Sequence, residues 1–152
     1  MDHDKKQEKS IILVCLQIFM GIGALFGGGA LILDPSGDLI DMPVSMIKGS
    51  IFSNFLIPGI LLFFVFGVIP CFVASGLTRQ WKCITAEKLN MFSNKHWSWT
   101  FSLYIGFAII IWITIQIYII NGFSIVHFIY IALGLIIQAV TLLPRVQRKY
   151  ER

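Results

Sequence analysis

Four long apolar runs, each free of Asp, Glu, Lys and Arg, alternate with shorter polar stretches along this chain, at 11–33, 54–77, 98–120 and 125–143. The first holds 23 residues. As an α-helix that length rises about 35 Å at roughly 1.5 Å per residue, enough to cross a hydrocarbon core of about 30 Å. The pattern predicts an all-α fold: a bundle of four transmembrane helices forming one membrane domain over 1–152. Residues 121–124, Asn-Gly-Phe-Ser, make a link so short that the third and fourth helices must be antiparallel neighbours.

The polar punctuation predicts the connections. Asp34-Pro35-Ser36-Gly37 is a strong turn sequence, because Asp bonds its own backbone, Pro fixes φ and Gly tolerates the bend that completes the turn. Residues 43–48 read as one or two turns of helix, with Asp41 complementing the N-terminus and Gly49 ending it. Val44, Met46 and Ile47 make that segment too apolar for water, so it lies on the membrane surface or over the bundle mouth. It belongs to a cap, 34–53. Pro58 stands near the start of the second span and Pro70 deep inside it, where the ring removes a bond to Phe66 and kinks the helix. Residues 78–97 form a polar connection with a short surface helix over 85–91. Trp81, Trp97 and Trp99 flank it at headgroup depth. Residues 1–10 read as a mobile tail, and 11–33 as a retained helix rather than a cleaved signal peptide. Pro144 ends the last span before a basic tail, RVQRKYER.

Composition agrees with a membrane protein. Hydrophobic residues are 57% and charged residues 13%, against roughly 25% charged in soluble domains. The net charge of +4 sits in blocks beside the spans, the pattern of topological anchors, and this excludes nucleic acid as a partner. Three Lys precede the first span, four Lys and Arg lie in 78–97 and four follow the last span. The cap holds one and 121–124 none. Positive residues stay inside, so both termini and 78–97 are expected in the cytoplasm, with the cap and its Asp34, Asp38 and Asp41 outside. Cys15, Cys71 and Cys83 have no metal or redox spacing and read as inert thiols.

The chemistry is sparse. No ionisable acid or base of the Asp, Glu, Lys or Arg type lies within a span, which counts against an ion-coupled transporter. Gly23 and Gly27, like Ala24 and Gly28, stand four apart in the first helix and are expected to let helices approach closely. Gln17 and Gln138 lie at matching depths and are expected to face the interior and bond each other or a freed carbonyl. At the outer mouth Asp34, Asp38, Asp41, Asn54, Gln116 and His127 form a candidate polar cluster. It offers a small-ligand or metal site, or an acid–base pair on His127, set against ordinary turn and cap duties. His3 and His96 fall in polar segments and carry no such expectation.

The stretches GGGALILDPSG, MPVSMIKGSIF and NFLIPGILLFFVFGVIP resemble those of a family of small bacterial four-helix membrane proteins without an assigned activity. The resemblance covers the first half of the chain and implies a bacterial plasma membrane. It brings no catalytic or binding residues. The expected function is non-enzymatic: an accessory protein in the lipid bilayer that binds a membrane-protein partner or a second copy of itself, with no cofactor or metal. Two readings stand beside it, a small-molecule facilitator entered under the cap and a membrane enzyme acting on a lipid or envelope substrate.

Overall fold

Residues 9–152 are described by the structure, a computed structural model. Most of the tail expected over 1–10, and His3 with it, lies outside the described residues. The first span is α1, Ile11–Leu33, and the second comprises α2, Leu56–Phe63, and α3, Ile69–Arg79, joined by a π turn at Phe64–Val68. After the short α4, Ile84–Lys88, come the third and fourth spans, α5 (Trp97–Ile120) and α6 (Ile125–Leu142), and finally α7, Pro144–Lys149. Four of these helical stretches are long and apolar enough to cross a membrane. The protein is therefore an all-α four-helix bundle, and among the described residues its only β pairing is a single bridge, Lys95 with Glu151.

Helix α1 starts where the Ser10 hydroxyl accepts the Leu13 amide, and its interior residues Leu13, Gln17, Met20, Ala24, Gly28 and Leu31 recur every three or four positions. That spacing aligns them on one face. The face meets α2, the π turn and α3, with α6 alongside. Helix α3 meets α5, and α5 lies along α6, so the four spans close into a ring. Backbones touch where side chains are missing. A Cβ on Gly28 would stand 2.5 Å from the Phe63 nitrogen, and one on Gly134 would stand 3.1 Å from the Gly106 carbonyl oxygen. Apolar contact gains little over lipid inside a membrane, so such close approach is what holds helices together. Gly23 and Gly27 meet only the Tyr130 hydroxyl and a Leu62 methyl. The tighter seam runs through Gly21, Gly28, Gly59 and Gly67.

Several boundaries differ from expectation. The second span covers Leu56–Arg79 rather than 54–77. Pro70 does not simply kink it: the turn before it widens, and the Ile69 amide reaches back five residues to the Phe64 carbonyl. Widening moves the carbonyl ladder away from a ring that has no N–H to offer. Gly67 sits in the wide turn, where a Cβ would fall 2.8 Å from Leu25 Cδ2. The third span begins at Trp97, the last ends at Leu142, and the surface helix is Ile84–Lys88 instead of 85–91. RVQRKYER is not a free tail. Its first five residues belong to α7, and Val146 within the helix and Tyr150 directly after it turn into the core.

The three tryptophans also differ in role. Trp97 and Trp99 are buried and Trp81 is half-buried. The Trp97 indole donates to the Trp81 carbonyl at 2.8 Å and the Trp99 indole to the Thr141 carbonyl at 2.8 Å. They bind the base of the bundle together through their indole N–H groups.

Candidate functional site

At the cap end, the turn at Asp34 forms as its sequence demands. The Gly37 amide donates to the Asp34 carbonyl at 3.0 Å, and Gly37 takes φ 78°. A Cβ there would meet the Met42 carbonyl, so the position needs glycine for space as well as for φ. The cap continues as two 3₁₀ turns, Asp38–Ile40 and Val44–Ile47. Ile47 and Phe55 are buried against Leu31, so the cap folds over the bundle mouth.

Of the six polar residues expected at the mouth, Asp34, Asn54 and His127 are tied to nearby backbone, Asp38 and Asp41 are exposed, and Gln116 stands apart at an apolar pocket. Asp34 Oδ1 accepts the Ser36 hydroxyl at 2.5 Å and the Ser36 amide at 3.2 Å, while Oδ2 accepts the Leu39 amide at 2.9 Å. These donors, the Ser36 hydroxyl foremost, hold the Asp34 carboxyl below the usual carboxylate range. Asn54 Oδ1 accepts the Leu56 amide at 3.0 Å and starts α2. His127 is buried, and its Nδ1 accepts the Ser124 amide at 3.1 Å, one half of a capping box at the start of α6. Asp38 and Asp41 are exposed. Asp41 does not complement the next turn but closes the previous one, with φ 54°. Gln116 borders an apolar pocket of about 30 Å³ under the cap, with Leu31, Phe55 and Trp112. Ligand sites are commonly about 300–1,000 Å³. No hydrogen bond or ion pair joins any two of the six among the described residues, and no group of three His, Cys, Asp or Glu there can hold a metal ion.

Within the bundle, Gln17 is fully buried as expected, yet neither amide atom has a hydrogen-bond partner. The expected bond to Gln138 is not made. Gln138 Nε2 and Trp112 Nε1 are also buried and unpaired. Gln138 instead lays its chain over Gly106, where a Cβ would come within 2.5 Å of Cγ.

A larger concavity lies at the opposite, basic end, where the sequence predicts a polar connection and a basic tail. It is a cleft of about 810 Å³ lined by Gln80, Lys82, Ile84, Glu87, Lys88, His96, Tyr150, Glu151 and Arg152. Its wall is tied together from distant parts of the chain. The Tyr150 carbonyl accepts the His96 amide at 2.8 Å, and the Arg152 amide donates to the Asn94 carbonyl at 3.0 Å. Lys95 Nζ, almost wholly buried, stands 2.7 Å from Glu151 Oε1, and the Arg152 guanidinium pairs with both Glu87 oxygens. His96 forms part of the floor. Its Nε2 faces the Trp81 carbonyl at 3.1 Å, and its Nδ1 faces the Ser98 hydroxyl at 2.8 Å and accepts the Ser98 amide at 3.3 Å. Nε2–H donating and Nδ1 accepting is the neutral tautomer that satisfies all three. Burial pushes this imidazole below its ordinary value of 6.5, Arg152 adds to that, and the Trp81 carbonyl opposes it. With both nitrogens engaged, His96 is a cap and a brace rather than an acid or base.

The one sequence signal for this cleft was the pair Val146 and Tyr150, two non-polar bodies four apart in a charged tail. In comparisons with known proteins, no family model, curated protein or solved structure matches this chain.

Proposed function

We propose that this chain is a non-enzymatic accessory protein of a bacterial plasma membrane, with both termini in the cytoplasm, that binds a membrane-protein partner through its cap. The observation that carries the reading is how the cap is made. Underneath it is fixed by the Asp34 bonds and by Ile47 and Phe55 plugged against Leu31. It leaves Leu39 and Ile51 63% and 92% exposed, and Val44 and Met46 are exposed as well. A rigid support for exposed apolar side chains costs little ordering on association, which favours binding. Glycine seams that bring backbones together speak for a closed bundle and against a facilitator. The bacterial membrane rests on the resemblance of the first half, and the orientation on the placement of Lys and Arg.

Purification from native membranes in mild detergent tests the function. A stoichiometric partner retained by the wild type and lost in Leu39→Lys and Ile51→Lys supports it. A lone chain, or a partner indifferent to both substitutions, overturns it. Orientation is tested on a cysteine-free background. A membrane-impermeant maleimide applied to intact cells should label Leu39→Cys and spare Lys88→Cys; the reverse inverts the topology.

A second reading, a small-molecule-binding membrane protein, is favoured by the unpaired polar atoms of Gln17, Trp112 and Gln138. Co-purification of a small molecule that Gln17→Met releases would promote it.

A further inference from the structure

We infer that the cleft at the basic end is a binding site for the phosphate-bearing headgroup of an anionic membrane lipid. Charge is the first reason. Among the side chains lining the cleft, Glu87 is neutralised by Arg152 and Glu151 by Lys95. Lys82 and Lys88 are exposed, and neither has an ion pair or hydrogen bond among the described residues. Two ammonium groups are thus left uncompensated in one concave surface, a field that attracts a phosphate diester.

Depth is the second reason, and it separates a lipid from a dissolved anion. The cleft is framed by Gln80 directly after α3, by His96 directly before α5, and by Tyr150, whose hydroxyl accepts the amide of Ser10 directly before α1. Its floor is level with three helix ends, which is where the headgroups of a surrounding bilayer stand. The rim is the third reason. Ile84 lines the cleft, between Lys82 and Lys88 in sequence, and is 77% exposed. A soluble anion has no use for such a rim; a headgroup attached to acyl chains does. The volume of about 810 Å³ leaves room for a headgroup and the start of its glycerol backbone. This inference is independent of any partner at the cap.

The test uses the full chain in detergent, offered equal phosphatidylglycerol and phosphatidylcholine and examined by native mass spectrometry. The wild type should retain phosphatidylglycerol in preference, and Lys82→Gln/Lys88→Gln should lose that preference by about tenfold. Lys48→Gln, an exposed lysine at the cap end, should behave as wild type. Neither substituted lysine makes a bond, so lipid-free thermal unfolding should be unchanged and a folding defect is excluded. Three results overturn the inference: no preference in the wild type, full retention by the double variant, or complete displacement of the lipid by millimolar inorganic phosphate, which assigns the cleft to a soluble anion.

Discussion

The Tyr150 hydroxyl donates to the Leu77 carbonyl 3.0 Å away, across 73 residues of sequence. It also accepts the Ser10 amide at 3.0 Å, so one fully buried phenol joins the last turn of α3, the start of α1 and the segment after α7. Tyr150→Phe keeps the ring and removes both bonds, leaving a buried amide and a buried carbonyl with one partner fewer. Thermal unfolding in detergent should show a loss of about 1–3 kcal/mol. An unchanged midpoint would mean that the phenol does not join these elements.

Adjacent glycines in α1 should respond oppositely. A methyl at Gly28 enters the α2 backbone, 2.5 Å from the Phe63 nitrogen, whereas one at Gly29 meets nothing nearer than 3.8 Å. Gly28→Ala should cost about 1–3 kcal/mol. Gly29→Ala should be neutral or stabilising by up to about 1 kcal/mol, through better helix propensity. Parallel denaturation of the two variants checks the seam. Equal effects would place it elsewhere.

Buried Gln17 offers the reverse experiment, because a substitution should help. Its amide has no partner, and replacing an unsatisfied polar group by an apolar one of similar shape removes a desolvation cost. Gln17→Met should raise stability by about 1 kcal/mol. A lower unfolding midpoint would reveal an interaction that the amide depends on.

For His96 the sign of the pH dependence comes from its lowered pKa. Below the ordinary value of 6.5 the unfolded chain takes up a proton that the buried imidazole still refuses. Stability from this residue is therefore complete above that pH and declines as pH falls, until the native form also protonates. Asp34 acts in a lower window: its contribution is present above the ordinary value of 3.8 and is lost as pH falls through its lower native value. Unfolding midpoints measured from about pH 7 to 5 should fall in the wild type. They should flatten in His96→Asn, whose side chain can still accept the Ser98 amide. A slope unchanged in that variant would assign the titration to another group.

The spans were legible because membrane length and freedom from charge leave little choice, and the run 11–33 coincides with α1, Ile11–Leu33. The Asp34 turn was legible because its chemistry is local. Harder to read was anything depending on what lies opposite. Gly21, Gly59 and Gly67 became seam residues through their neighbours, whereas the noticed Gly23 meets only a hydroxyl. Pro70 announced a disturbance but not that a π turn would absorb it. Residues of the polar mouth looked convergent in sequence, yet Asp34, Asn54 and His127 each found a backbone amide within five residues. The basic end was missed because charge was counted as an anchor, and its ion pairs, Lys95 with Glu151 and Arg152 with Glu87, join segments 56 and 65 residues apart.

Because Tyr150 holds Ser10, biosynthesis has an order of events. The bond that ties the start of α1 to this phenol cannot form until the tyrosine codon has been translated and its product has left the exit tunnel. A nascent chain stalled short of Tyr150 would therefore display unsecured helices, and so would one trimmed there by a protease. A single phenol thus reports whether synthesis has run past the bundle.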